Sequence, residues 1–202
     1  MNNKDMNQFE IKLVDTINLP TSISESSKFY LFKNGKDVIS ALVKGDVFNK
    51  SNVLIRIHSE CLFGDILGSY KCDCGQQLEN AKQLMKKEEI AILFYLEQEG
   101  RGIGIENKVK AYKLQEQGHD TVDANLLLGL QADMRSYDSV AKIIKQFFKI
   151  DSIRLLTNNP DKIDEVQKAG IAINQIPLVI TPNVHNKKYL ITKKSKFGHY
   201  LP

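Results

Sequence analysis

The chain of 202 residues has no tryptophan, only five prolines and only three cysteines. It also has no long apolar run. The longest, around Ile90 to Leu96, is far short of the ~20 residues that a bilayer-spanning helix needs. These absences exclude a membrane-spanning or low-complexity chain. The start, Met1 to Glu10, lacks an apolar signal core and an Arg-rich transit pattern, so a cytoplasmic protein with a frayed beginning is expected. An excess of one charge is missing too. The net charge of +4 is too mild to imply nucleic acid, yet it suits an anionic small molecule. What is present is ordinary. Hydrophobic residues make up 42% of a length sufficient for one substantial domain or two small ones.

The three cysteines are not scattered. Cys61 follows Arg56-Ile57-His58-Ser59-Glu60, and Cys72 and Cys74 come about ten residues later around one Asp. Three cysteines cannot all pair, and a cytosolic setting disfavours disulfides. Thiolates are soft ligands that zinc prefers, and three of them leave one tetrahedral position free. Structural zinc sites close with four protein ligands, whereas a three-ligand site can bind and activate water. A catalytic zinc is therefore expected. The competing reading is three reduced core cysteines, against which the polar flanks Ser59, Glu60, Lys71 and Asp73 argue.

Residues 11–55 read as β-rich. Phe29 to Phe32 is an aromatic strand ending at the turn signal Asn34-Gly35, Val38 to Lys44 a second strand, and Val53 to His58 a third. By the period of two, Leu54, Arg56 and His58 share one face of the third strand, and the other face is expected to be the buried one. A helix is predicted over Gln76 to Lys87, with Leu78, Ala81 and Met85 on one stripe. Ile90 to Leu96 is expected to be a strand buried on both faces, followed by a helix from about Glu106 to Gln117 with Gly118 as its stop. Asp123 is a candidate cap for a short helix over Ala124 to Leu130, and a longer helix spans Tyr137 to Phe148. Ile153 to Leu156 is a strand, Asp161 to Ala169 a helix, and Ile171 to Ile180 a strand broken by Pro177. The tail from Thr181 is basic without a strong period, and its lysines are expected to be solvated. The alternation from residue 90 to 180 argues for an α/β fold. An antiparallel β-rich N-terminal part should run continuously into a mixed-sheet α/β core flanked by helices. The expected organisation is a poorly ordered segment over 1–18 and a single domain over 19–202.

Several stretches could meet an anion. Gln98 to Gly104 reads QEGRGIG, follows a strand and opens a helix, so its glycines could bring backbone N–H groups to phosphate while Arg101 adds a bidentate fork. It is neither a P-loop nor the dinucleotide fingerprint. Thr157-Asn158-Asn159-Pro160-Asp161-Lys162 places Asn159 as N-cap, Pro160 at the first helical position and Lys162 near the positive end. Either loop alone could be a plain strand-to-helix turn. Together with Arg56 they favour a polyphosphate ligand. Asp133 and Arg135 are either a base with a phosphate partner or a surface ion pair. Tyr112, on a stripe with Ile105 and Val109, reads as a core tyrosine by spacing. His58 is either a ligand or base beside the cysteines or a structural histidine.

These residues together resemble GTP cyclohydrolase II. The resemblance rests on Arg56-x-His58-Ser59-Glu60-Cys61, Gly64-Asp65, Cys72-Asp73-Cys74-Gly75, Gln98 to Gly104 and Asn107-Lys108. It continues through Ala111-Tyr112, Asp120 to Asn125, Asp133-x-Arg135, Leu155 to Pro160 and Lys196-Phe197-Gly198-His199, covering roughly 19–200. It is loosest before Leu19, over Phe29 to Lys36, and over residues 145–152. It implies one zinc on Cys61, Cys72 and Cys74. It implies GTP contacts from Arg56, Ile57, His58, Ser59, Glu60, Gln77, Glu99, Gly100, Arg101, Thr121, Thr157 and Lys162. It gives Asp133 as proton acceptor, Arg135 as nucleophile or anchor at the α-phosphate, and Tyr112 near the reacting base, against the core reading that spacing favours.

The activity implied is hydrolytic opening of the guanine imidazole ring of GTP, with release of formate and pyrophosphate, at the start of riboflavin synthesis. Mg²⁺ would accompany the triphosphate, and a homodimer is implied, with no nucleic-acid or membrane partner. Fused relatives carry an upstream dihydroxybutanone phosphate synthase domain, and this chain is expected to be the stand-alone form. Two other readings stand beside this one. The first is a paralogue that stops at the formylated intermediate or serves another pathway. The second is a catalytically silent nucleotide-binding module, which the intact cysteines and Asp133/Arg135 pair disfavour.

Overall fold

The computed structural model describes residues 11–199. One mixed sheet of seven strands runs through it in the order β1-β2-β3-β5-β4-β6-β7. The strands are β1 (Lys12–Asn18), β2 (Lys28–Asn34), β3 (Asp37–Lys44), β4 (Val53–Ser59), β5 (Ala91–Leu96), β6 (Ser152–Leu156) and β7 (Ala172–Ile176). Pairing is antiparallel from β1 to β5 and parallel among β5, β4, β6 and β7. The architecture is thus α/β, with an antiparallel N-terminal part continuous with the mixed core. Among the described residues no helix is long and apolar enough to cross a membrane.

Helices cover both faces of the sheet. α1 (Cys74–Lys86) lays Leu78, Ala81 and Met85 against Leu54, Ala91 and Leu93. The opposite face meets α4 (Asp138–Lys142), the π-turn Ile143–Phe147 that continues it, and Val166 of α5 (Pro160–Lys168). Each fully buried side chain of this kind, such as Met85 or Phe94, contributes about 1.5–3 kcal/mol relative to exposure. The π-turn carries two adjacent aromatics into one layer. Phe147 meets Phe32 edge-on at 5.0 Å, and Phe148 meets Tyr30 at 5.5 Å.

Several expectations need correction. β4 is buried on both faces, because β5 and β6 flank it and α1 roofs the Arg56 face. The polar residues there survive burial because they are hydrogen-bonded. Arg56 donates to the Leu156 carbonyl and to Gln77 Oε1, both at 2.8 Å. Of the segment expected to be poorly ordered, residues 1–10 lie outside the described residues, while Lys12–Asn18 forms β1. Backbone pairing with β2 suffices there although nearly every side chain of β1 is exposed. The short helix after Gly118 is α3 (Thr121–Leu127), and its N-cap is Asp120, which accepts from the amides of Val122 and Asp123. The basic tail also holds a helix, α6 (Lys187–Phe197), with Lys193 buried on its inner side.

The sheet places the candidate site. β4, β5 and β6 are parallel neighbours whose C-terminal ends open into the cysteine loop, the glycine-rich loop and the Thr157–Pro160 turn. From β4 the chain passes through α1 to β5 on one side, and from β5 it crosses to β6 on the other. Such a reversal leaves a crevice at the carboxyl ends of the strands, where open α/β sheets bind their ligands.

Candidate active site

Cys61 stands at the end of β4 and opens the π-turn Leu62–Ile66, while Cys72 and Cys74 precede and open α1. Their sulfurs all lie within 4.8 Å of one another, and those of Cys61 and Cys72 are 3.8 Å apart. Two thiolates on a tetrahedral zinc at about 2.3 Å each stand ~3.8 Å apart, so the spacing fits. The loops close because two residues have no side chain. A Cβ on Gly64 would come within 2.9 Å of the Cys72 sulfur, and one on Gly75 within 2.1 Å of the Gly64 carbonyl oxygen. As bare thiols the three share protons unequally. Hydrogen bonds from Cys72 and Cys74, with Lys108 nearby, hold the Cys61 thiol far below its ordinary range, and Cys72 is pushed up to about 11 by its hydrogen bond to Cys61.

His58 does not face the sulfurs. Its Nε2 lies 3.0 Å from both oxygens of Asp65, which also accepts from the Cys61 amide at 3.0 Å and from Tyr95 Oη at 3.1 Å. With Nε2–H donating to the carboxylate, Nδ1 is left as the acceptor toward Arg56 Nη2 at 3.4 Å. Burial pushes the imidazole below its ordinary pKa despite Asp65, so it is neutral at pH 7. His58 thereby fixes the loop that carries Cys61.

The cysteines line a cleft at the carboxyl ends of the strands. Arg56, Arg101, Lys108, Arg135, Lys162 and Lys193 line it, against the carboxylates Glu60 and Glu99. Two of these cations hold donors without protein partners. Arg56 Nε and Arg101 Nη1 are buried and unpaired, and Lys162 Nζ donates to the Ile57 carbonyl at 2.8 Å. Burial, together with Arg56, Arg135 and Lys193, drives the Lys162 pKa well down. Lys193 differs. Burial opposes its charge, but Asp73 at 2.7 Å more than offsets that and raises its pKa. Asp73 in turn accepts from Gln77 Nε2 at 2.5 Å, and Gln77 reaches Arg56, so a polar chain runs from α6 to β4 beneath the cleft.

The glycine-rich loop differs from its expected form. Gly100, Arg101 and Gly102 are all left-handed, a conformation costly for arginine. The amides of Gly102 and Gly104 bond to carbonyls within the loop, and that of Gly100 to Glu99 Oε1, so these groups do not cradle an anion. The loop instead projects Arg101, whose guanidinium carbon lies 4.3 Å from the ring centre of Phe197. The Arg101 carbonyl accepts from the Met134 amide at 3.0 Å, which ties the loop to the Asp133–Arg135 segment.

Most of the expected residues converge. Arg56, His58, Ser59, Glu60, Gln77, Glu99, Gly100, Arg101, Thr121, Thr157 and Lys162 line the cleft with the cysteines, Tyr112 and Arg135. Ile57 does not: its side chain is fully buried in the core, and only its carbonyl serves the site through Lys162. Asp133 sits behind Arg135, whose Nε donates to it at 2.9 Å, in an adjoining depression. The pair is four-fifths buried, not a surface ion pair. Tyr112 is not in the core. Ile105 and Val109, its supposed stripe partners, are exposed, and α2 (Gly104–Glu116) turns Lys108, Ala111 and Tyr112 to the cleft. Tyr189, Lys193 and His199 line the cleft as well, unforeseen from sequence. The Lys196-Phe197-Gly198-His199 match was the available signal.

A family profile for GTP cyclohydrolase II matches residues 12–177. The chain belongs to the GTP cyclohydrolase II family. It is 47% identical over 98% of its length to GTP cyclohydrolase-2 of Archaeoglobus fulgidus, covering 54% of that protein. It is 45% identical over 98% of its length to the riboflavin biosynthesis protein RibBA of Bacillus subtilis, covering 52% of it. Against GTP cyclohydrolase-2 of Picrophilus torridus it is 48% identical over 86% of its length and 91% of the relative. The chain thus spans about half the length of the first two and most of the third. Helix α6, with Tyr189, Lys193 and Phe197, lies beyond the residues that the GTP cyclohydrolase II profile matches.

Proposed function

We propose that this chain is a zinc-dependent hydrolase that opens the imidazole ring of GTP. Formate and pyrophosphate leave, and 2,5-diamino-6-ribosylamino-4(3H)-pyrimidinone 5′-phosphate remains for riboflavin synthesis. The observation that carries the proposal is that the three-cysteine cluster and the cation-rich wall open into one cleft. Family membership and relatives named GTP cyclohydrolase-2 support it. Two waters are consumed at C8, releasing it as formate, and one at the α–β anhydride.

Cys61, Cys72 and Cys74 would hold the metal. Zinc bound there would supply Lewis acidity toward water. The other roles belong to the chain. Arg56 and Arg101 offer charged donors to the triphosphate and Lys162 an amine whose charge the phosphate would favour, and a phosphate oxygen would satisfy guanidinium N–H groups that the protein leaves unpaired. Tyr112 packs edge-on against Phe63, and burial beside the thiols raises its pKa, so the phenol keeps its proton as a donor at the cysteine end.

Burial lifts the Asp133 carboxyl, but the hydrogen bonds from Arg135 lower it further. Asp133 is therefore ionised at neutral pH and can accept a proton once Arg135 turns to phosphate. A guanidinium is always charged and so a poor nucleophile, which makes Arg135 an electrostatic anchor at the α-phosphate. Mg²⁺ is proposed to accompany the triphosphate, Glu60 and Thr121 to complete the nucleotide contacts, and the working form to be a cytoplasmic homodimer of one domain per chain.

The test is to incubate zinc-loaded protein with GTP and Mg²⁺ and to measure formate and pyrophosphate together. Equal release is expected. Pyrophosphate without formate identifies the paralogue that stops at the formylated intermediate, and neither product refutes every enzymatic reading.

A further inference from the structure

We infer that Lys108 is a positioning residue that sets the electron-donating strength of Cys61 and joins the cysteine cluster to the glycine-rich loop. The inference rests on the metal reading above and adds to it a residue outside both the ligand set and the nucleotide set. Lys108 is buried on α2. Its Nζ lies 3.2 Å from the Cys61 sulfur and 2.5 Å from Glu99 Oε1, and it sits 4.5 Å over the ring of Phe63. Among the described residues it is the side-chain cation within hydrogen-bond distance of a cluster sulfur.

A plain salt bridge with Glu99 does not account for this placement. Glu99 already accepts the Gly100 amide at 2.8 Å on Oε1 and the Leu62 amide at 2.6 Å on Oε2. Its carboxylate is satisfied by backbone and clasps the residue next to Cys61 to the loop that projects Arg101. What remains to be explained is the ammonium on the sulfur. Three thiolates around a divalent cation leave one net negative charge in a half-enclosed cleft. Lys108 cancels it at one sulfur rather than evenly. A charge-assisted N–H···S contact draws density from that sulfur, so Cys61 becomes the weakest donor of the three and the bound metal stays electron-poor. No proton changes hands and no bond is made or broken. The role is fixed charge in a fixed place.

The test compares wild type, Lys108→Met, Lys108→Gln and Lys108→Arg, each with folding checked by circular dichroism. Two quantities are read: zinc affinity by chelator competition, and the sulfur-to-metal charge-transfer band of the cobalt-substituted chain. Lys108→Met and Lys108→Gln should bind zinc about 10- to 100-fold more weakly, because the net negative charge of the loaded cluster is left uncompensated, which outweighs the stronger donation from Cys61. Their cobalt band should move to lower energy, since a sulfur stripped of its cation gives up an electron more easily. Lys108→Arg, which keeps the charge, should restore both readings toward wild type. A band and an affinity unmoved in whichever neutral variant folds overturn the inference while the metal reading stands. Loss in Lys108→Arg equal to that in Lys108→Met also overturns it, because packing and not charge would then be at work. A wild-type chain that takes up neither zinc nor cobalt overturns the metal reading, and this inference with it.

Discussion

At Gly75 one hydrogen atom separates a closed cysteine cluster from an open one. The α-carbon of Gly75 packs so closely on the Gly64 carbonyl that a methyl group would sit 2.1 Å from its oxygen. Backbone cannot swing aside as a side-chain tip can. Gly75→Ala should therefore push the α1 start from the π-turn and separate Cys72 and Cys74 from Cys61. The expected result is a metal content well below one per chain by elemental analysis, with stability lowered by about 1–3 kcal/mol in urea melts. A full metal complement in that variant would show that the two loops can shift without opening the cluster. Residue by residue, the cysteines and glycines were legible as a ligand cluster with a tight exit at Gly75. That Gly64 was the residue it must clear was not, because ten intervening positions fold back through a turn that no local pattern announces.

The helix that escaped the sequence is α6, whose inner face lines the cleft. It presents Tyr189 and Lys193 inward and so lacks the apolar stripe by which a helix is recognised, whereas α2 was legible as a helix but not in the face, Lys108, Ala111 and Tyr112, that it turns to the cleft. α1, which packs on the sheet through Leu78, Ala81 and Met85, was legible for the opposite reason. α6 earns its place through Arg101, whose guanidinium stacks on Phe197 and is held over the cleft. Phe197→Ala should loosen Arg101 without removing it. A cation–π contact of about 0.5–2 kcal/mol corresponds to roughly a two- to thirtyfold rise in KM for GTP, with kcat little altered. Steady-state formate release measures both constants. A fall in kcat at unchanged KM would instead place Phe197 at the chemical step.

For the whole molecule, one buried imidazole, His58, and one partly buried imidazole, His199, set the acid side of stability. Burial pushes both below the ordinary value of 6.5. His58 is lowered in spite of Asp65, and His199 goes to about 3, helped by Lys193 and Arg135. In the unfolded chain both titrate normally, so below pH 6.5 the unfolded state binds more protons than the folded one. Stability is then fully present above about pH 6.5 and is lost as pH falls from there toward 3. Urea midpoints measured from pH 7.5 to 4.5 should decline, and His199→Asn should flatten the slope. A midpoint constant over that range would mean that both histidines are protonated in the fold.

The sequence by itself determined the periodic and the covalent features: β5 as an apolar central strand, α1 by its stripe, α5 by the Asn159-Pro160 cap, and three thiols in ligand spacing. Those features depend on neighbours along the chain, and period and spacing record them. The tertiary structure alone decided which groups face each other across strands. It buried Arg56 and His58 beneath α1, set Asp133 behind Arg135, turned Tyr112 out of the core, and brought Lys193 to Asp73. Burial and charge pairing depend on what packs from elsewhere in the chain. Only the assembled sheet and its two helical layers supply that information.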